Sequence, residues 1–186
     1  ISEFEQQYEH FYIVQQEQAL PTLLPPITSQ DDKEIVLTND QQQAVNAILK
    51  VVHGHRRRPL VLSADRGRGK SASLGIAAAQ LLREGKQRII VTAPSLATAA
   101  TVFEHAKRLL PEATTSTGLL SLDSAEIRFV APDVLIESEH KADLVLVDEA
   151  AAIPASMLAK LLGKYSRLVF STTLHGYEGT GRGFTI

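Results

Sequence analysis

The string Ala64-Asp-Arg-Gly-Arg-Gly-Lys-Ser71 constrains this chain more than any other feature in it. It fits the phosphate-binding loop [AG]-x4-G-K-[ST], with Ala64 where a glycine is usual. At typical residue frequencies that pattern arises by chance in roughly 1–2% of chains this long. Its setting lowers the figure further, because an apolar run ends at Ala64 and a helical pattern begins at Lys70. Gly67 and Gly69 let the backbone wrap with its N–H groups inward, and a helix N-terminus adds positive potential for phosphate. Lys70 then reaches the β- and γ-phosphates of ATP, and the Ser71 hydroxyl is a ligand for Mg²⁺.

A second signal is Leu144-Val-Leu-Val-Asp148-Glu149. Four apolar residues predict a buried strand that delivers two carboxylates at its C-terminal edge, where open α/β sheets bind ligands. Asp148 is expected to hold Mg²⁺ and Glu149 to act as the base for an attacking water. Ser171-Thr172-Thr173 ends a later strand, where hydroxyls can sense a γ-phosphate; a plain strand-to-loop transition stays open for it. Gln41, in Leu-Thr-Asn-Asp-Gln, lies upstream of the loop, where a carboxamide can contact adenine; a solvated helix N-terminus stays open for it.

Around these motifs the pattern alternates. A helix from Thr38 or Asn39 to about Val52 shows Ala44, Val45, Ile48, Leu49 and Val52 on one face. Strands are expected at Pro59–Ala64, Arg88–Ala93, near Glu126–Ala131, at Leu144–Val147 and at Arg167–Thr172. Helices are expected at Lys70–Glu84, Ser95–Leu110 and Pro154–Leu162, with a Thr/Ser-rich link before Glu126. Continuous apolar strands alternating with helices predict a mainly parallel sheet covered on both faces. Together with the loop this gives an α/β, RecA-like P-loop NTPase three-layer sandwich over residues 35–186. Residues 1–34 read as an N-terminal helix (about 3–19, carrying Phe4, Tyr8, Phe11 and Tyr12 at helical spacing) and a connector.

Other candidates are weaker. His53 and His55 lack a further ligand cluster, which argues against a metal. Arg56, Arg57 and Arg58 suit a solvated loop better than RNA contact. Arg182, in the glycine-rich tail, is a candidate phosphate contact. With 19 Lys+Arg against 21 Asp+Glu the chain is not a strongly basic nucleic-acid module. Having no Cys, it has no disulfide, thiolate metal site or cysteine catalysis. No apolar run approaches the length of a membrane span, and no signal-peptide pattern opens the chain, so a cytoplasmic protein without a membrane partner is expected. Ile1 and the glycine-rich end suggest a piece of a longer protein.

The strings Arg-Gly-Arg-Gly-Lys-Ser-Ala, Val-Asp-Glu-Ala-Ala-Ala-Ile-Pro and Ser-Thr-Thr-x-x-Gly-Tyr-Glu-Gly-Thr-Gly-Arg-Gly-Phe together resemble the ATPase module of the tRNA(Met) cytidine acetyltransferase family. Arg-Phe-Val-Ala-Pro-Asp (128–133) and Leu-Thr-x-x-Gln fit as well, so the resemblance covers about residues 35–184. It implies a RecD-like helicase fold using ATP (or GTP) and Mg²⁺. In the whole protein that fold is joined to an acetyl-CoA-dependent domain that acetylates the wobble cytidine of elongator tRNA(Met). Nucleotide contacts carried over by motif are Gln41, Gly67, Arg68, Gly69, Lys70, Ser71 and Ala72; the catalytic set is Lys70, Asp148 and Glu149, with Ser71 and Asp148 on the metal. Nothing after Phe184 forms an acetyltransferase fold, so acetyl-CoA chemistry is not expected here. The lone lobe is expected to be weakly active, lacking an arginine supplied from elsewhere. A RecD-like helicase lobe and a non-hydrolysing RNA scaffold are the alternatives. The four residues Lys70, Ser71, Asp148 and Glu149 argue against the scaffold.

Overall fold

The computed structural model describes residues 12–15, 37–54, 58–65, 67 and 69–173. Its elements are β1 (Tyr12–Gln15), α1 (Asn39–His53), β2 (Leu60–Ala64), α2 (Lys70–Arg83), β3 (Arg88–Thr92) and α3 (Ala100–Leu109). Then follow β4 (Thr114–Ser116), β5 (Leu119–Leu122), β6 (Ala125–Phe129), α4 (Pro132–Glu137), β7 (Leu144–Val147), a short 3₁₀ turn (Ala150–Ala152), α5 (Ala155–Lys164) and β8 (Leu168–Thr173). The strands form one sheet in the order β1-β2-β8-β7-β3-β6-β5-β4. Neighbours from β1 to β6 in that order are parallel. β5 and β4 extend the sheet antiparallel.

Strand alternation sorts the core into two layers, as a side-chain period of two requires. Leu60, Leu62, Ile89, Val91, Leu144, Leu146 and Val169 face α1, α2 and α3. Val61, Ile90, Val145, Val147, Leu168 and Phe170 face α4 and α5, packing on Leu135, Leu158 and Leu161. Both faces are covered, so the parallel strands read as unbroken apolar runs.

Local chemistry starts the first helix. Thr38 Oγ1 accepts from the Gln41 N–H at 3.2 Å, and Gln41 Oε1 accepts in return from the Thr38 N–H at 3.1 Å, a complete capping box. The α2 helix has no side-chain cap; Gly69, at φ 79°, precedes it in the left-handed region. Its leading N–H groups thus have no side-chain cap.

Several expectations need correction. Tyr12–Gln15 are a strand paired parallel with Leu60–Ser63, not part of a helix over 3–19; the rest of that stretch lies outside the described residues. Tyr, Ile and Val favour extended backbone, and β2 has an edge to pair with. The Thr/Ser-rich link is the β4–β5 hairpin, turning at Gly118 with φ 67°. The helix after β3 starts at Ala100 rather than Ser95, since Ser95 to Ala99 are taken up in turns. The one-turn helix α4 was not foreseen; Pro132 at its start suits the first helical position.

α2 and α3 touch closely at Gly75, where an added Cβ would overlap the Val102 carbonyl oxygen. Gly75→Ala should therefore destabilise the fold by about 1–3 kcal/mol, although alanine is the better helix former by about 1 kcal/mol. Thermal unfolding checks this: an unchanged or raised midpoint would mean that the two helices part without cost.

Candidate functional site

Because β2, β7 and β8 are parallel, the segments that follow them emerge at one edge of the sheet. β8 lies between β2 and β7, with Ala64 opposite Thr173 and Val147 opposite Phe170. That register puts Ser171 beside Asp148. A cleft of about 340 Å³ opens here, floored by Gly67, Gly69, Lys70, Ser71 and Ala72. Gln41 reaches it from α1, Glu149 and Thr173 from the ends of β7 and β8, and Thr101 and His105 from α3.

Lys70 is 7% exposed and its ammonium rests on the loop's own backbone, donating to the Ala64 carbonyl at 2.8 Å and the Asp65 carbonyl at 3.0 Å. Burial pushes its pKa down, while the carboxylates of Glu149, Asp148 and Asp65 push it back up. Asp148 is fully buried. Burial pushes its carboxyl above the ordinary range, the Ser71 and Ser171 hydroxyls pull it down, and the Glu149 charge adds to the rise. Its Oδ1 accepts from the Glu149 N–H at 3.1 Å, but Oδ2 is buried without a hydrogen-bond partner.

An orphaned carboxylate oxygen in a dry interior, with the Ser71 hydroxyl acting on the same carboxyl, is a donor set of hard oxygens. That chemistry fits Mg²⁺. Glu149 adopts φ 49°, ψ 48°, the left-handed region that costs a non-glycine residue about 1–2 kcal/mol. Thr173 Oγ1 donates to Glu149 Oε2 at 3.5 Å.

The sequence-derived residues Gln41, Gly67, Gly69, Lys70, Ser71, Ala72 and Glu149 thus line one cleft, with Asp148 beneath it. Gln41 does not sit free: its Oε1 is held by the capping box, and a Cβ at Gly69 would collide with its Nε2. Arg68 lies outside the described residues, as do Arg66, Arg182, His55, Arg56 and Arg57. His53 pairs with Glu84 at 2.8 Å. Among the described residues no group of three or more His, Cys, Asp or Glu could hold a metal, and no helix is long and apolar enough to cross a membrane. Thr101 and His105 had no motif to announce them; their spacing of four on one helix face was the only signal.

Residues 61–186 match the family of RNA cytidine acetyltransferase NAT10/TcmA, helicase domain. The chain is 60% identical over 149 residues to the tRNA(Met) cytidine acetyltransferase TmcA of Nitrosococcus halophilus, covering 80% of this chain and 20% of that protein. It is 46% identical over 172 residues to the TmcA of Vibrio cholerae, covering 89% of this chain and 24% of that one. It therefore spans about a fifth to a quarter of the length of these relatives. In fold it is similar to the UvsW helicase of bacteriophage T4, with a TM-score of 0.56 and 16% identity over 80% of this chain and 56% of that one. At that identity the likeness concerns architecture alone.

The buried Asp148 carboxyl yields a prediction with a definite sign. Its raised pKa means the folded chain holds this proton more tightly than the unfolded chain. Its contribution to stability therefore falls as pH rises from the ordinary carboxylate value through the raised one. In chelator-treated buffer at pH 7–8, Asp148→Asn should unfold a few degrees above the parent chain, about 1 kcal/mol for a chain of this size. The gap should close as pH approaches the ordinary carboxylate range, and Mg²⁺ should stabilise the parent but not the variant. A variant less stable than the parent at pH 8 without metal would show that the carboxylate is satisfied where it lies.

Proposed function

The chain belongs to the RNA cytidine acetyltransferase NAT10/TcmA family, in its helicase domain, and on that premise we propose that it is an ATP-binding and ATP-hydrolysing module of a tRNA(Met) cytidine acetyltransferase. The observation that carries the proposal is the meeting of Lys70, Ser71 and Glu149 in one cleft with the unpartnered Asp148 oxygen below it.

The roles follow from the chemistry. The backbone N–H groups at Gly67, Gly69 and the start of α2 cradle the phosphates. Lys70 exchanges its two carbonyl partners for phosphate oxygens, a stronger charge-assisted bond. Ser71 and Asp148 would hold Mg²⁺, which would supply positive charge against the phosphates. Glu149 orients and deprotonates the attacking water, its carboxylate steadied by Thr173. Gln41 joins the start of α1 to the phosphate loop at Gly69, so a nucleotide on that loop is also felt by α1. In the longer protein, ATP turnover here serves acetylation of the wobble cytidine of elongator tRNA(Met) from acetyl-CoA, with the acetyl-CoA site elsewhere in that protein.

Two variants test the assignment by titration calorimetry with Mg·ATP and by phosphate release. Lys70→Ala removes the point charge aimed at the phosphates and should weaken ATP binding at least 100-fold. Glu149→Gln keeps the shape but cannot take a proton; its affinity should stay within about twofold while turnover in the longer protein, with tRNA present, falls about 10²–10⁴-fold. Unchanged ATP affinity in the lysine variant would overturn the phosphate loop, and unimpaired turnover in the glutamine variant would remove Glu149 as base.

A further inference from the structure

Thr101 and His105 enter the cleft because of helix packing. The close approach of α2 and α3 at Gly75 leaves His105 Cβ only 3.1 Å from where a Gly75 side chain would begin. The His105 ring is oriented by its own helix: Nδ1 is 2.9 Å from the Thr101 carbonyl oxygen. A carbonyl only accepts, so the proton sits on Nδ1, and in the neutral ring Nε2 is an acceptor. Nε2 is the ring's remaining polar atom, on a half-buried side chain that lines the cleft.

We propose that His105 binds the nucleoside end of the nucleotide, its Nε2 accepting a hydrogen bond from a ribose hydroxyl. This rests on the nucleotide-binding function proposed above. Phosphate oxygens are acceptors too, so a neutral imidazole presenting a lone pair gains nothing from them. The phosphate-binding groups of the cleft are already supplied by the loop, Lys70 and the start of α2. Thr101 and His105 bring α3 to the cleft beside the start of α2, and the part of a nucleoside triphosphate that extends past the phosphates carries hydroxyl donors. The match is between an acceptor fixed by its tautomer and the hydroxyl donors of the sugar; adenine's amino group is the nucleotide's other donor, and dideoxy-ATP retains it while losing the hydroxyls.

Calorimetry at pH 8 with Mg²⁺ and three ligands tests this: ATP, 2′,3′-dideoxy-ATP and inorganic tripolyphosphate. The parent chain should bind ATP about three- to tenfold more tightly than dideoxy-ATP, the range of one hydrogen bond. His105→Ala should weaken ATP by the same factor and leave the other two within twofold. His105→Gln, which keeps an acceptor oxygen, should recover part of the loss, and its melting curve guards against a packing effect. Equal losses for ATP and tripolyphosphate would place His105 on the phosphates and overturn the proposal. Equal losses for ATP and dideoxy-ATP would place it on the base, and no loss for ATP would remove it from binding; each overturns it as well. Lys70→Ala separates the two ideas, because it should abolish binding of all three ligands. If Lys70→Ala leaves tripolyphosphate bound, the phosphate loop has been misassigned whatever His105 does.

Discussion

The site depends on burial of the sheet's two faces. β2 and β7 are buried at every position, and β8 at all but its last. Covered on both sides, these three strands pair side by side and parallel, and parallel strands release their chains at a common edge. The phosphate loop, the carboxylate pair and the Thr173 hydroxyl converge because of that, although long stretches of sequence separate them. Weakening the layer formed by Val61, Val147 and Phe170 would disturb the site before any of its polar groups were touched.

Burial also sets the electrostatics. The same desolvation pushes the Lys70 pKa down and the Asp148 pKa up, against the charged form of each. Backbone carbonyls hold the ammonium, and the Glu149 N–H holds the carboxyl at Oδ1, leaving Oδ2 unsatisfied. An anion beside the lysine and a cation beside the aspartate would reverse both shifts at once. On the function proposed here, phosphate beside Lys70 and Mg²⁺ beside Asp148 would each favour the charged form that burial disfavours. The left-handed backbone at Glu149 belongs to the same economy: a small local strain places a carboxylate on the cleft wall next to Thr173.

Helix packing contributes in another way. Gly75 lets α2 and α3 approach until Val102 and His105 press against it, and that contact makes α3 a wall of the cleft. Gln41 shows the same dual use at α1, since its carboxamide both completes a helix cap and abuts the phosphate loop. Structural and ligand-facing roles share side chains here, so substitutions at these positions need readouts that tell folding from binding.

Much of this was legible in the sequence because its determinants are local. A glycine-bounded loop between an apolar strand and a helix, or two carboxylates after four apolar residues, is written in contiguous residues whose backbone preferences act over a few positions. Thr38 and Gln41 announced the start of α1 for the same reason. Pairing partners were not legible, because they depend on which edges and faces remain open once other elements have packed. Tyr12–Gln15 carry helical spacing of aromatics in their neighbourhood, yet the edge of β2 takes them as a strand. The hairpin of β4 and β5 is hidden in a Thr/Ser-rich link whose first strand is fully exposed, and only pairing with β6 and burial of Leu120 hold it in the sheet. The α/β class, the glycine-bounded loop before α2 and the carboxylate pair after β7 are thus written in the residues alone, because their signals are short-range. The place of β8 between β2 and β7, the unpartnered Asp148 oxygen and the position of His105 on the cleft arise in the folded chain, because each follows from distant segments competing for the same buried space.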